Sequence, residues 1–322
     1  MKPSAALTLA RARGFGAAEL LVALALGLVV ALAGSALLLA SNASYLSQTE
    51  AARLDDNARY ALDLIGRAVR QTAFVDLDSD DAPVGARPED SASVGGLDAR
   101  SVNRSSFGIE APAAAVNGSD VLALRYFGAG SGSGGDGSVI NCAGFGVGAA
   151  HSEAERGWSI FYVARDATGE AELRCKYRGE SSWGADAIVR GVDTFQVLYG
   201  LDTDEPPDGV ANAYLNASAI DGLDGALPLT GADAAARARE KNAKTCWKRV
   251  VSVRVALLLH GERATQPPGG PAQFDLFGKA YSDAHGGDDA GARIDAGRLP
   301  AALRGRARRA LVTTILLRNR PA

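Results

Sequence analysis

The sequence predicts an α+β protein: one long N-terminal α-helix packed on a mainly antiparallel β-sheet head. Three observations lead there. A proline-free stretch runs from the N-terminal region to beyond residue 70. Along it the apolar pattern changes from all-round to a single stripe. The remainder holds short β-branched or aromatic runs separated by turn-rich segments, which read as strands.

The first element is a basic leader running into an apolar segment, "RARGFGAAELLVALALGLVVALAGSALLLA". Residues 20–40 carry no charge, matching the ~20 residues that cross a bilayer as a helix. Lys2, Arg11 and Arg13 precede it, whereas the next charge after Glu19 is Glu50. The basic flank therefore places the N-terminus in the cytoplasm and everything beyond residue 40 outside. Two conventional explanations compete: a retained anchor, or a secretory signal cut after Ala33, where Ala31-Leu32-Ala33 offers an A-x-A-like site. Glu19 strains both, because a carboxylate in an apolar core costs about 2.5–3.5 kcal/mol on insertion scales. Something must compensate it.

Beyond residue 40 there is no glycine until Gly66, so the helix can continue to about residue 72. Leu54, Ala58, Ala61, Leu62, Ile65, Ala68 and Val69 recur at spacings of three and four, with Asp55, Asp56, Arg59, Asp63, Arg67 and Arg70 on other faces. This is the pattern of an amphipathic helix whose stripe meets a core. If both halves join, the helix is roughly 87 Å long at 1.5 Å per residue.

Residues 75–120 are polar and rich in turn residues, which reads as a loop or a small irregular subdomain. "DVLALRYF", "WSIFYVAR", "AELRCKY", "IVRGVDTFQVLYG", "RVVSVRVALLL" and "LVTTILLR" read as strands. Residues 128–150 are dense in glycine but lack G-x-x-x-x-G-K-[ST] and open no helix, so they read as a flexible loop rather than a phosphate cradle. A second insertion before residue 246 carries a short helix near residues 232–241.

The N-terminal pattern, Gly14-Phe15 followed by Glu19 and the apolar run, resembles the class III signal of type IV prepilins. "ARLDDNARYALDLIGRAVRQTAF", "VINCAG", "ELRCKY", "VDTFQVLYGLDTD", "WKRVVSVRVALLL" and "RRALVTTILLRNR", in this order, resemble the PilW-type minor pilins. Gly16, Ala17 and Ala18 are smaller than the family's usual residues there. The resemblance implies a leader at residues 1–14 removed by a prepilin peptidase after Gly14. It implies N-methylation of Phe15, a membrane-spanning helix half at residues 15–40, an amphipathic half at residues 41–74 and an extracytoplasmic β-rich head at residues 75–322. Glu19 would serve assembly: in a filament the acid of one subunit can approach the Phe15 ammonium of a neighbour, exchanging two lone charges in low dielectric for a pair.

The chain has three cysteines, Cys142, Cys175 and Cys246, an odd count for an oxidising compartment. The resemblance favours a Cys142–Cys175 disulfide, with Cys246 left over. A zinc site lacks the C-x-x-C spacing and nearby histidines. Asp202, Asp204 and Asp208 ahead of Gly209 resemble a calcium loop, but prolines fill its middle and Ala213 stands where an acid is needed. A solvated acidic turn is the expectation, and no metal or other cofactor is assigned. His151, His260 and His285 are scattered outside any catalytic motif, so no nucleophile and base can be paired and an enzyme is not expected.

A net charge of −3 gives no global basic field for nucleic acid. The local run Arg304, Arg306, Arg308 and Arg309 is expected to guard a strand edge in solvent. The resemblance thus implies a minor pilin of a type IV pilus, held in the inner membrane with its head in the periplasm, which helps initiate or cap the filament together with minor and major pilins. Two alternatives stand beside it: a pseudopilin of a type II secretion system, and a secreted adhesive or binding domain released after Ala33.

Overall fold

The computed structural model describes residues 14, 16–76, 87–266 and 270–319. Its elements in chain order are α1 (Ala17–Gln71), β1 (Val94–Leu97), β2 (Arg100–Val102), β3 (Pro112–Ala114), β4 (Val121–Tyr126), β5 (Gly157–Arg165), β6 (Ala171–Arg178) and β7 (Trp183–Arg190). There follow β8 (Val192–Leu201), β9 (Ala213–Leu215), α2 (Ala217–Gly225), α3 (Ala234–Lys244), β10 (Val250–His260), β11 (Gln273–Asp275), α4 (Lys279–His285), β12 (Arg293–Asp295), α5 (Ala301–Arg304) and β13 (Arg308–Leu316). The chain divides into two compact units, Met1–Thr49 and Glu50–Ala322.

In the first unit α1 presents Leu, Val and Ala to solvent on every side, and its apolar window is long and hydrophobic enough to cross a membrane. Two of its hydroxyls are satisfied within the helix: Ser35 Oγ donates to the Ala31 carbonyl at 2.9 Å and Thr49 Oγ1 to that of Tyr45 at 2.8 Å. Such back-bonding lets polar residues sit in a helix without asking water for a partner.

In the second unit the remainder of α1 buries Leu54, Ala58, Ala61, Ile65, Ala68 and Val69. The helix stops because Ala73 turns to φ 60°, and its N–H then donates to the Arg125 carbonyl at 2.9 Å, tying the helix end to β4. Left-handed backbone at a residue with a Cβ is strained, and this link holds it.

The expected single sheet is two. A five-stranded sheet runs β1-β4-β5-β6-β7 and a four-stranded one β13-β10-β8-β9, all neighbours antiparallel. "IVRGVDTFQVLYG" therefore is not one strand. It breaks at Gly191, φ 73°, where a Cβ would lie 2.6 Å from the His260 carbonyl; only glycine fits the corner between sheets.

One core joins both sheets to α1, with Leu122, Phe161, Val163 and Leu173 from the first sheet and Val197, Val253, Val255 and Leu257 from the second. Alternation places the other faces elsewhere. Ile160 and Tyr162 of β5 pack under the β2–β3 hairpin, and Ala256 and Leu258 of β10 under Leu276, Ile294 and Leu299. Residues 75–120 thus contribute three short strands, and the segment after β10 carries its own small antiparallel pair, β11–β12, with α4 between them.

Candidate functional site

Residues 1–13 of the leader and Phe15 lie outside the described residues. Gly14 and Gly16 precede α1, and Glu19 falls in its first turn. Glu19 Oε2 accepts the Gly16 N–H at 3.0 Å, the return half of a capping box, and its charge faces the positive end of the helix dipole. The carboxylate is thus held three residues beyond the amide that opens the helix, at an exposed position on an otherwise uncharged stretch.

In the head, Cys142 and Cys175 form a disulfide with Cα atoms 5.8 Å apart, bridging the glycine-rich segment to the middle of β6. Cys246 is a free thiol, and burial beside Asp224 pushes its pKa up. The glycine-rich segment is ordered rather than a loose loop. Ala129 N–H donates to the Val147 carbonyl, Asp136 to Ala129, Gly148 to Ser133 and Ala149 to Gly130, at 2.9–3.2 Å. Its backbones cross so closely that a Cβ on Gly148 would lie 1.8 Å from the Gly132 carbonyl oxygen. Composition signals a lack of side chains, but not that the bare backbones will pack on each other.

The carboxylate oxygens of Asp202, Asp204 and Asp208 come within 4.8 Å of one another. Both Asp202 oxygens are occupied by N–H donors, Asp204 at 3.1 Å and Gly209 at 2.5 Å, while Asp204 Oδ2 accepts from Asn212. Asp202 is buried, so the turn is not wholly solvated; its backbone amides account for where the charge goes.

The arginine run is corrected in part. Arg308 is buried and donates to Asp193 Oδ2 at 2.8 Å, Arg306 lies 3.5 Å from Glu170, and Arg309 pairs with Asp55 of α1 at 2.8 Å. Arg304 donates to the Leu299 carbonyl. Acids distant in sequence claim Arg306, Arg308 and Arg309, so the run stitches the head internally as well as flanking β13, an edge strand on which Arg309 stays exposed, as does Arg304 ahead of it. His260 belongs to the same cluster, with Nδ1 2.9 Å from Asp193 and Nε2 2.5 Å from Glu170.

Two further clusters have no motif. Arg125 and Arg156 converge on Glu153 at 2.6 and 3.1 Å, each guanidinium also over a ring, Trp158 and Phe127. Burial and the neighbouring Arg156 lower the Arg125 pKa to about 10. Lys176, fully buried without an acid, is held by the carbonyls of Asn103 and Gly108 and by Ser106 Oγ at 2.7–3.1 Å, and burial lowers its pKa to about 8. His151 lies at a cleft rim, and the His285 ring meets Tyr281 at 4.5 Å.

A helix that is apolar all round at first, then striped, and that leads into antiparallel sheets defines a pilin-like protein. The family described as type IV pilus-assembly protein W matches residues 160–319, just under half of the chain, and the chain is a type IV pilus-related pilin. No curated protein matches it. Among solved structures, a type IV-like pilin from Thermus thermophilus aligns with 84% of this chain and 99% of its own, at 12% identity and a TM-score of 0.36, too loose a superposition to assign function.

Proposed function

We propose that this chain is a minor pilin, a structural subunit that helps initiate or cap a type IV pilus and catalyses no reaction. A prepilin peptidase removes residues 1–14 and Phe15 becomes the methylated N-terminus. The apolar half of α1 is held in the inner membrane, with the head in the periplasm, until packing against other pilins draws it into the filament.

The observation that carries this is Glu19: the one charge between Arg13 and Glu50, placed five residues after Gly14 and in the first turn of α1. An anchor gains nothing from an acid there, whereas a helix that must dock beside other N-termini gains a partner for an ammonium. Mass spectrometry of the mature N-terminus tests it. Methylated phenylalanine at position 15 supports the proposal, and a chain beginning at Gly34 would overturn it. Co-purification with minor pilins, rather than with type II secretion components, separates pilus from pseudopilus.

A further inference from the structure

A cleft of about 780 Å³ opens on the head between the glycine-rich segment and the β6–β7 turn, within the ~300–1,000 Å³ range of small-molecule sites. Nothing in the assembly of a filament requires it, and it lies apart from α1. Its apolar side is aromatic. Phe145 is 56% exposed, and its ring centroid stands 5.2 Å from that of Tyr177 with the planes inclined at 40°. Tyr177 is fixed in place: its hydroxyl donates to Asp186 at 3.0 Å, and its ring lies against Gly184, where a Cβ would come within 2.5 Å.

The polar side is held equally firmly. Glu180 accepts from the Ser133 hydroxyl, Glu155 Oε2 accepts from the His151 N–H at 2.8 Å, and Arg178 donates to the Ala154 carbonyl. Each contact orients the group yet uses only part of it. Glu155 Oε1 and Glu180 Oε2 have no protein hydrogen-bond partner among the described residues, and both side chains are exposed.

An exposed ring face, oriented carboxylates and a guanidinium around one cavity match the two sides of a pyranose. Its axial C–H groups cover an aromatic face, removing apolar area from water, while neighbouring hydroxyls donate to carboxylates and accept from guanidinium. The rim excludes a purely apolar guest, because charged groups would be desolvated without partners. With the lining Arg156 already paired to Glu153, the two carboxylates against Arg178 also disfavour an anionic one. We propose that this cleft is a binding site for a neutral carbohydrate, with Phe145 as the stacking platform and Glu180 and Glu155 as hydroxyl acceptors. The proposal stands independently of how the N-terminus is processed.

The test uses the full chain in phosphocholine nanodiscs free of glycolipid, since sugar-headed detergents would compete. Arrays of neutral, sialylated and sulfated glycans are probed beside a random peptide library. Retention of neutral glycans is expected, weakened at least tenfold by Phe145→Ala and several-fold by Glu180→Gln, with melting temperatures close to the parent. Saturation-transfer NMR on the unsubstituted protein supplies a readout that needs no variant: sugar C–H protons should receive magnetisation from the aromatic rings. No neutral glycan bound at millimolar concentration, binding indifferent to Phe145→Ala, or capture of only peptides or sialylated glycans would each overturn the assignment.

Discussion

Arg308 donates from Nε to Asp193 Oδ2 at 2.8 Å with both side chains almost wholly sealed from solvent, and His260 takes the other Asp193 oxygen at 2.9 Å. Glu170 closes the cluster at 2.5 Å from His260 Nε2. The four residues come from the start of β8, the end of β10, the start of β13 and the residue ahead of β6, so the cluster pins the corner where the two sheets meet. Removing one member strands the others in low dielectric. Arg308→Met should cost about 3–5 kcal/mol. In urea denaturation, Arg308→Met combined with Asp193→Leu should fall short of the summed single effects by about 1–3 kcal/mol; simple additivity would show that the two are not coupled.

The Cys142–Cys175 bridge closes a loop of sequence separation 33 and ties the glycine-rich segment to β6. Chain-entropy estimates for a loop of that size give about 3–4 kcal/mol. Replacing both cysteines by serine should therefore lower stability by that order, with the Phe145 side of the cleft loosening first. Comparing melts of parent and double variant, each with and without dithiothreitol, checks it: the reductant should destabilise only the parent. An equal effect on both would shift the responsibility to Cys246 or elsewhere.

How far the sequence could be read follows from how local each signal is. The α1 stripe and the alternation in β5, β6 and β10 depend on neighbours three, four or two residues away, and all are legible as elements. Gly191 was not legible as a corner, because the reason it must be glycine is the His260 carbonyl 69 positions on. The arginines near β13 read as a solvent-facing run because Asp55, Glu170 and Asp193 are far away in sequence. The cleft was hidden for the same reason: Phe145 and Tyr177 meet only after β5 and β6 pair. Glu19 was conspicuous without any structure, since one charge in an apolar run needs no distant partner to be noticed.

Asp289 offers a test by pH. Its Oδ2 accepts from the Tyr281 hydroxyl at 2.7 Å while Oδ1 is buried without a partner. Burial pushes its carboxyl up to about 6, against the pull of the Tyr281 hydrogen bond. Between the unfolded value near 4 and the folded value, the native state keeps a proton that the unfolded chain has released. Stability from this group is therefore present below about pH 4 and is lost as pH rises through 6. Asp289→Asn should remove that loss. Its stability relative to the parent should improve from pH 4 to pH 7 by on the order of 2 kcal/mol, read from denaturation at both values. A difference independent of pH would mean that the Asp289 carboxyl has the same pKa in both states.

The cap that Glu19 provides and the charge pairing proposed for it can be separated by a pair of substitutions. As the acceptor of the Gly16 N–H it caps α1, a contribution of about 0.3–1 kcal/mol that a neutral amide can partly reproduce. As a charge it can neutralise an N-terminal ammonium, which no amide can do. Glu19→Ala removes both and makes the apolar segment more favourable in a bilayer, by less than the ~2.5–3.5 kcal/mol that a charge costs at a helix centre. Membrane insertion and head folding should survive, while N-methylation or entry into filaments should fall. Glu19→Gln keeps the cap and loses the charge. Filament incorporation of each variant, measured in sheared pilus fractions against its level in the membrane, decides between cap and charge. If Gln fails as Ala does, the charge pair drives docking; if Gln assembles like the parent, capping suffices and the pairing mechanism is wrong.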